Sequence, residues 1–330
     1  MKETLLCCRI TAQEKGLYRL CHDGVEQAAQ VSGKFQYEVL GPSDYPTVGD
    51  EVLADLNGGG QAVIHKVLPR KSLFLRKAAG TAREEQPVAA NVDILFLCMA
   101  LNNDFNLRRL ERYLAAAWNS GATPVVVLTK ADLCGNPSEK VAAVEEAAPG
   151  TDVLLTSAAQ EDGIRPLLPY LTPGRTVAFV GSSGVGKSTL MNGLLGKEIL
   201  ATGGLRNDDR GRHTTTRRQM FFLPGGAALI DTPGMRELGL WDSESGLETA
   251  FADIEALARQ CRFQDCRHEK EPGCAVRAAL ASGELSEERF RSWQRLSAEN
   301  RYADDRAAHM SAKEKKFRMI AQFNKSNSKR

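Results

Sequence analysis

The sequence has no apolar run near the roughly 18 residues of a membrane-spanning helix. The longest, Val92 to Leu101, is strand-sized, so no membrane partner is expected. The first residues, Met1-Lys2-Glu3-Thr4, lack the apolar core and small-residue cleavage site of an export leader, which makes a cytoplasmic location the expectation. Internal repeats and low-complexity tracts are also missing, and 42% hydrophobic with 25% charged residues is usual for a soluble globular protein. Eight cysteines in 330 residues are too few and too scattered for a disulfide scaffold. A net charge of +2 names no partner by itself. The charge is uneven, however: residues 306–330 hold eight Lys or Arg against a single Glu, either a solvated terminus or a surface for a phosphate backbone.

What is present changes texture along the chain. Residues 1–78 carry short apolar stretches broken by Gly, Pro and Asp, such as those at 35–42 and 49–56, which predicts a small all-β barrel. Ala78 to Pro87 has no periodic pattern and reads as a linker or loop. From about residue 90, buried-strand runs alternate with helical stretches, the pattern of a mainly parallel sheet covered on both faces, with one antiparallel hairpin around Pro224-Gly225-Gly226. After about 240 the pattern is helical. The expected division is an N-terminal all-β barrel (1–78), a central α/β domain (79–240) and a C-terminal, mostly α domain (241–330).

The central domain holds the strongest motif. Gly181-Ser182-Ser183-Gly184-Val185-Gly186-Lys187-Ser188-Thr189 follows an apolar strand and precedes a helix, as a phosphate loop must. Its glycines let backbone N–H groups turn toward phosphates, Lys187 reaches the terminal phosphates, and the Ser188 hydroxyl is the candidate Mg²⁺ ligand. Asp231-Thr232-Pro233-Gly234 ends a second apolar run, where Asp231 can hold Mg²⁺ through water and the Gly234 amide can sense a γ-phosphate. Thr129-Lys130-Ala131-Asp132 ends a third: an Asp132 carboxylate accepts both the ring N–H and the exocyclic amine of guanine, which adenine cannot match. Thr129 stands where GTPases usually have Asn. Ser157-Ala158, at the next strand end, fits a backbone contact to the guanine oxygen but is a weak signal.

The guanine motif precedes the phosphate loop, whereas GTPases ordinarily place it after; the order is circularly permuted. The γ-phosphate sensor therefore leads straight into the last domain. Between phosphate loop and Asp231, residues 203–216 form a polar stretch that reads as a switch loop. A hydroxyl of Thr214 or Thr215, with Thr216 also open, is the expected second Mg²⁺ ligand. In the C-terminal domain Cys261, Cys266, His268 and Cys274 make a complete tetrahedral zinc set, and with no open position the metal is expected to be structural. Cys7, Cys8, Cys21, Cys98 and Cys134 read as packing thiols. Lys66, Arg70, Lys71, Arg76 and Lys77, interleaved with apolar residues, suit either a nucleic-acid surface or a solvated strand face.

The permuted order, Gly-Arg-His-Thr-Thr-Thr at 211–216, Asp-Thr-Pro-Gly-Met-Arg-Glu at 231–237 and the Cys/His cluster together resemble the RsgA (YjeQ) family of small-subunit-dependent GTPases over nearly the whole chain. The resemblance implies an OB-fold that binds ribosomal RNA, a permuted GTPase domain and a zinc domain. It also implies action in late maturation of the small ribosomal subunit, with hydrolysis of GTP to GDP and phosphate stimulated by that subunit. A monomer is expected. Met235 occupies the position where many GTPases carry a water-orienting Gln, which a thioether cannot replace, so slow intrinsic turnover is expected, with the missing polar group supplied by the switch loop or the ribosome; His213 is the candidate for positioning water, with an RNA contact or no role as its alternatives. Gly184 stands where some potassium-activated GTPases have Asn, so the sequence lends no support to a potassium requirement. The alternative is a non-catalytic, zinc-containing RNA-binding checkpoint factor with GTP as regulatory ligand; a third reading, an ATP-using kinase, is opposed by Asp132.

Overall fold

Alternating side chains over residues 6–67 turn Cys8, Ile10, Leu20, Val52 and Ile64 into one apolar interior, and that shared interior is what closes a barrel. In the computed structural model the described residues are 5–14, 16–56, 60–77, 85–102, 104–160, 162–200, 218–232 and 244–301. The barrel strands are β1 (Leu6–Glu14), β2 (Leu17–His22), β3 (Val25–Val31), β4 (Glu51–Asp55) and β5 (Ala62–Val67), in the order β1-β2-β3-β5-β4, with β4 returning to β1. The β3–β5 pair is parallel and the others antiparallel, which is the OB-fold arrangement.

One stretch that reads as strand is helical. Gly33–Glu38 forms α1, because Ser32 caps it by accepting the Phe35 N–H at 3.1 Å and only Phe35 finds the interior, leaving Tyr37 92% exposed. The basic residues closing the barrel also differ from a bare nucleic-acid face. Arg70 donates to both carboxylate oxygens of the fully buried Asp50 at 2.7 Å and to the carbonyls of Ser43 and Tyr45, so it is a structural clamp. Lys71 pairs with Asp93 at 2.5 Å and Arg76 bonds Gln86, whereas Lys66 is exposed. Cys8 and Cys98 are buried packing thiols; Cys7 is exposed.

The chain continues into a separate hairpin of β6 (Leu73–Lys77) and β7 (Glu85–Ala90), with Lys77 opposite Glu85. Residues 85–87 thus belong to a strand rather than to the expected linker, while 78–84 lie outside the described residues. The α/β layer follows: β8 (Ile94–Ala100), α2 (Leu107–Asn119), β9 (Thr123–Thr129), α3 (Pro137–Ala147), β10 (Val153–Leu155), β11 (Thr176–Val180), α4 (Lys187–Leu195), β12 (Arg218–Phe222) and β13 (Ala228–Asp231). Strands β10-β9-β8-β11-β13 run parallel, and β12 pairs antiparallel with β13. Every residue of β8 is buried, and Phe96 meets Phe179 of β11 edge to face at 5.2 Å, as central strands covered on both faces require.

One strand belongs to both parts. The first half of β1 pairs with β4 to close the barrel, while Ala12 and Gln13 pair with Gln219 and Arg218 of β12. Barrel and α/β layer therefore share a single sheet within the compact unit Met1–Gly239. The second unit, Leu240–Arg330, contains α5 (Glu244–Ala250), α6 (Ala252–Ala258), α7 (Ala275–Ser282) and a helix over 287–301. Its core is pinned by Arg289, which makes a two-pronged contact with Asp253 at 2.6 Å and lies over the Phe251 ring at 4.8 Å. Among the described residues no helix is long and apolar enough to cross a membrane.

Candidate functional site

The carboxyl ends of β9, β11 and β13 bring the expected nucleotide residues together. Gly181 has φ 152°, and a side chain there would put its first carbon 2.4 Å from the Cys98 carbonyl, so only glycine lets β11 turn into the loop beside β8. Gly186, at φ 103°, then starts α4. Lys187 is buried, and its ammonium donates to the carbonyls of Gly181 and Ser182, both at 2.8 Å. Burial lowers its pKa, opposed by the neighbouring Cys98 and Asp231. Asp231 is 5% exposed; burial raises its pKa and the charge of Lys187 works against that rise. The ends of β11 and β13 thus carry an electrostatically linked cation and carboxylate. Thr232, the residue after β13, donates its hydroxyl to the Phe179 carbonyl at 2.5 Å.

The guanine-type motif reaches the same loop. Thr129 donates its hydroxyl to the Val185 carbonyl at 2.5 Å. Lys130, held in the left-handed region at φ 59°, donates its ammonium to the Gly184 carbonyl at 2.7 Å. Ala131 and Asp132 lie in a single 3-10 turn, and Ser157 donates its hydroxyl to Asp132 at 2.5 Å. That bond aligns the carboxylate and ties β10's end to β9's. Ser182 is buried, Ser188 is half-buried in the first turn of α4, and Ser183, Ala158 and Thr189 are exposed. His213, Thr214, Thr215, Thr216, Gly234 and Met235 lie outside the described residues, as does the basic stretch 306–330.

Two contributors escape the motifs. Tyr113 of α2, 3% exposed, shares a hydrogen bond with the Ser182 side chain, and burial pushes its phenol pKa up. Gly163 allows the 157–163 loop to fold under itself, since any side chain there would meet the Ser157 carbonyl at 1.8 Å. Neither has a sequence signal, because both act through contacts made only once the sheet is assembled.

The second unit holds a separate centre. One ligand atom from each of Cys261, Cys266, His268 and Cys274 lies within 4.8 Å of all the others. The Cys261 and Cys274 sulfurs are 3.8 Å apart, and His268 Nδ1 is 3.6 and 3.4 Å from them. A tetrahedron with 2.3 Å metal–sulfur bonds has sulfur edges of about 3.8 Å, so the set fits a four-coordinate metal. Cys274 also caps α7, where its sulfur accepts the Arg277 N–H at 3.4 Å.

A family model described as RsgA GTPase matches residues 67–241, the stretch that contains both nucleotide motifs. A protein named small ribosomal subunit biogenesis GTPase RsgA 2 from Lactiplantibacillus plantarum is 50% identical, over 89% of this chain and 83% of its own length. The chain belongs to the RsgA GTPase family. Its relatives include the Opitutus terrae RsgA, 47% identical over 91% of this chain and 85% of that one. The crystal structure of YjeQ from Thermotoga maritima superposes with a TM-score of 0.66 at 28% identity, covering 89% of this chain and 97% of that chain. YloQ, described as a circularly permuted GTPase, has the same fold, with a TM-score of 0.62 at 23% identity over 92% and 96% of the two chains. An ABC transporter model also matches residues 167–329, a range that includes the phosphate loop but not Asp132. As an RsgA GTPase the chain is a GTP hydrolase with an OB-type barrel, a permuted GTPase layer and a Cys/His metal site in its helical part.

Proposed function

We propose that this RsgA protein hydrolyses GTP in late maturation of the small ribosomal subunit in the cytoplasm, acting as a monomer that binds the subunit and its rRNA and is stimulated by it. The observation that carries the nucleotide half is the paired contact of Thr129 and Lys130 with the Val185 and Gly184 carbonyls, which makes one site from two motifs in inverted order. The subunit half is supported by the names of the relatives.

In this reading Asp132, aligned by Ser157, accepts the guanine N–H groups, and the amides of Gly181 to Ser188 hold the phosphates. Lys187 then turns from the loop carbonyls to the terminal phosphates. Mg²⁺ bound with the nucleotide would supply charge neutralisation for the phosphates. The hydroxyls of Ser188 and of Thr214 or Thr215 are the hard oxygen donors that would hold such a cation, with the Asp231 carboxylate acting through water. Gly234 senses the γ-phosphate, and His213 orients the attacking water. The three thiolates and one imidazole at 261–274 match zinc, held as a structural ion.

GTP hydrolysis measured with purified small subunits, with large subunits and alone tests the proposal. Stimulation by the small subunit only is the expected result; equal rates in all three arms would refute the assignment to that subunit.

A further inference from the structure

We propose that Arg218 is a positioning residue that relays engagement of the barrel to the nucleotide site. The inference rests on the reading that the small subunit stimulates hydrolysis. β12 lies between β13 and β1, and its Gln219 is paired with Asp231 on one side and with Ala12 on the other. A displacement of β1 is therefore felt by the strand that carries Asp231, through one intervening strand.

Arg218 locks this joint. It is 9% exposed, and its Nη1 donates to the Pro87 carbonyl at 2.5 Å and to Gln13 Oε1 at 3.4 Å. The Thr47 hydroxyl donates to the same two oxygens at 3.5 and 3.2 Å. Both acceptors are neutral, and burial together with the nearby Arg76 holds the guanidinium pKa down to about 10. A buried cation that meets no carboxylate among the described residues is a poor stabilising element, since an apolar side chain of similar size fills such a space at lower cost. Its geometry suits transmission instead. Gln13 is also bonded to the Tyr18 hydroxyl, and with Leu17, Arg19 and Gln61 it lines a cavity of about 240 Å³ on the barrel. A polar chain thus runs from that cavity through Gln13 to Arg218, and from there along β12 to Asp231. Arg218 also directly follows the segment that carries His213, Thr214 and Thr215.

The test uses full-length protein with Arg218→Met, Arg218→Lys and Gln13→Leu. It reads single-turnover hydrolysis with and without small subunits, GTP Kd with a fluorescent analogue, and subunit binding by co-sedimentation. Coupling between sites is commonly worth roughly 5–150-fold. Stimulation should fall by at least that lower figure in Arg218→Met and Gln13→Leu, while intrinsic turnover, GTP Kd and subunit binding hold. Arg218→Lys, which keeps one donor for Pro87, should retain part of the stimulation. If the wild type is not stimulated, the functional reading fails first. If it is stimulated and both uncoupling variants match it, or if they lose intrinsic turnover or subunit binding in the same proportion, the relay is wrong. Should Arg218→Met not fold, Thr47→Val, which removes the hydroxyl bridging the same oxygens, carries the test.

Discussion

The Lys130 ammonium donates to the Gly184 carbonyl at 2.7 Å although 54 positions of chain separate them. Adjacent parallel strands make this possible: β9, β8 and β11 stand side by side, so their carboxyl ends meet whatever order the chain visits them in. Circular permutation changes connectivity and leaves the site alone.

Asp132→Asn tests the base contact. Exchanging one carboxylate oxygen for an amide donor removes one charge-assisted hydrogen bond worth roughly 1.5–3 kcal/mol, so GTP affinity should drop about 10- to 100-fold. Xanthosine triphosphate, which offers a carbonyl where guanine has its amine, should bind the variant better than GTP does. Calorimetry with both nucleotides reads this directly; unchanged GTP affinity would remove Asp132 from the site.

Arg70→Ala should destabilise the barrel by roughly 3–5 kcal/mol, because it strands a buried carboxylate without its cation. Asp50 is fully buried and desolvation already raises its pKa, with Arg70 as the main opposing influence. A lowered urea midpoint, with Lys66→Ala on the exposed barrel surface as the neutral control, is the expected outcome.

These two residues mark what sequence reveals. The motif ending in Asp132 is legible because a base contact calls for a particular functional group at a strand end, and the structure brings its Thr129 and Lys130 to the phosphate loop; Cys261 to Cys274 are legible because four potential ligands lie close in sequence, and their ligand atoms gather within 4.8 Å. β8 is legible because a strand buried on both faces is apolar throughout. Arg70 looked like its basic neighbours, since its partners at 43, 45 and 50 are joined to it only by the closed barrel. α1 was hidden by Phe35 and Tyr37, whose spacing suits a strand until the Ser32 cap is seen. Nothing in local pattern could join β1 to β12.

Stripping the metal, or Cys266→Ser, should abolish the folding transition of the 240–330 unit while GTP binding by the first unit persists. Structural metal sites contribute folding free energy outright. Two-transition calorimetry on the full chain before and after chelation, with elemental analysis expected to find one zinc per chain, checks both statements. A single unaltered melt would contradict them.

Asp231 gives a pH signature. Burial raises its folded pKa above the usual carboxylate value, so the folded protein holds this proton more tightly than the unfolded chain. The associated stability is present at low pH and is lost as pH rises through the raised value. Asp231→Asn should therefore stabilise the nucleotide-free protein at neutral pH, while Mg²⁺-dependent GTP binding is lost. In the wild type that binding should decline on acidification sooner than a surface carboxylate would allow; melting curves and nucleotide titrations across the acidic range measure both.

Gln13 and Arg218 are 205 positions apart in the chain. During synthesis at roughly 5–20 residues per second, the far end of β1 waits some tens of seconds for its neighbour β12. For that interval its outer edge is an unpaired row of amides and carbonyls, the kind of surface on which chains adhere to one another. Expression temperature and translation speed should therefore govern the soluble yield of this protein more strongly than the composition of either half would suggest.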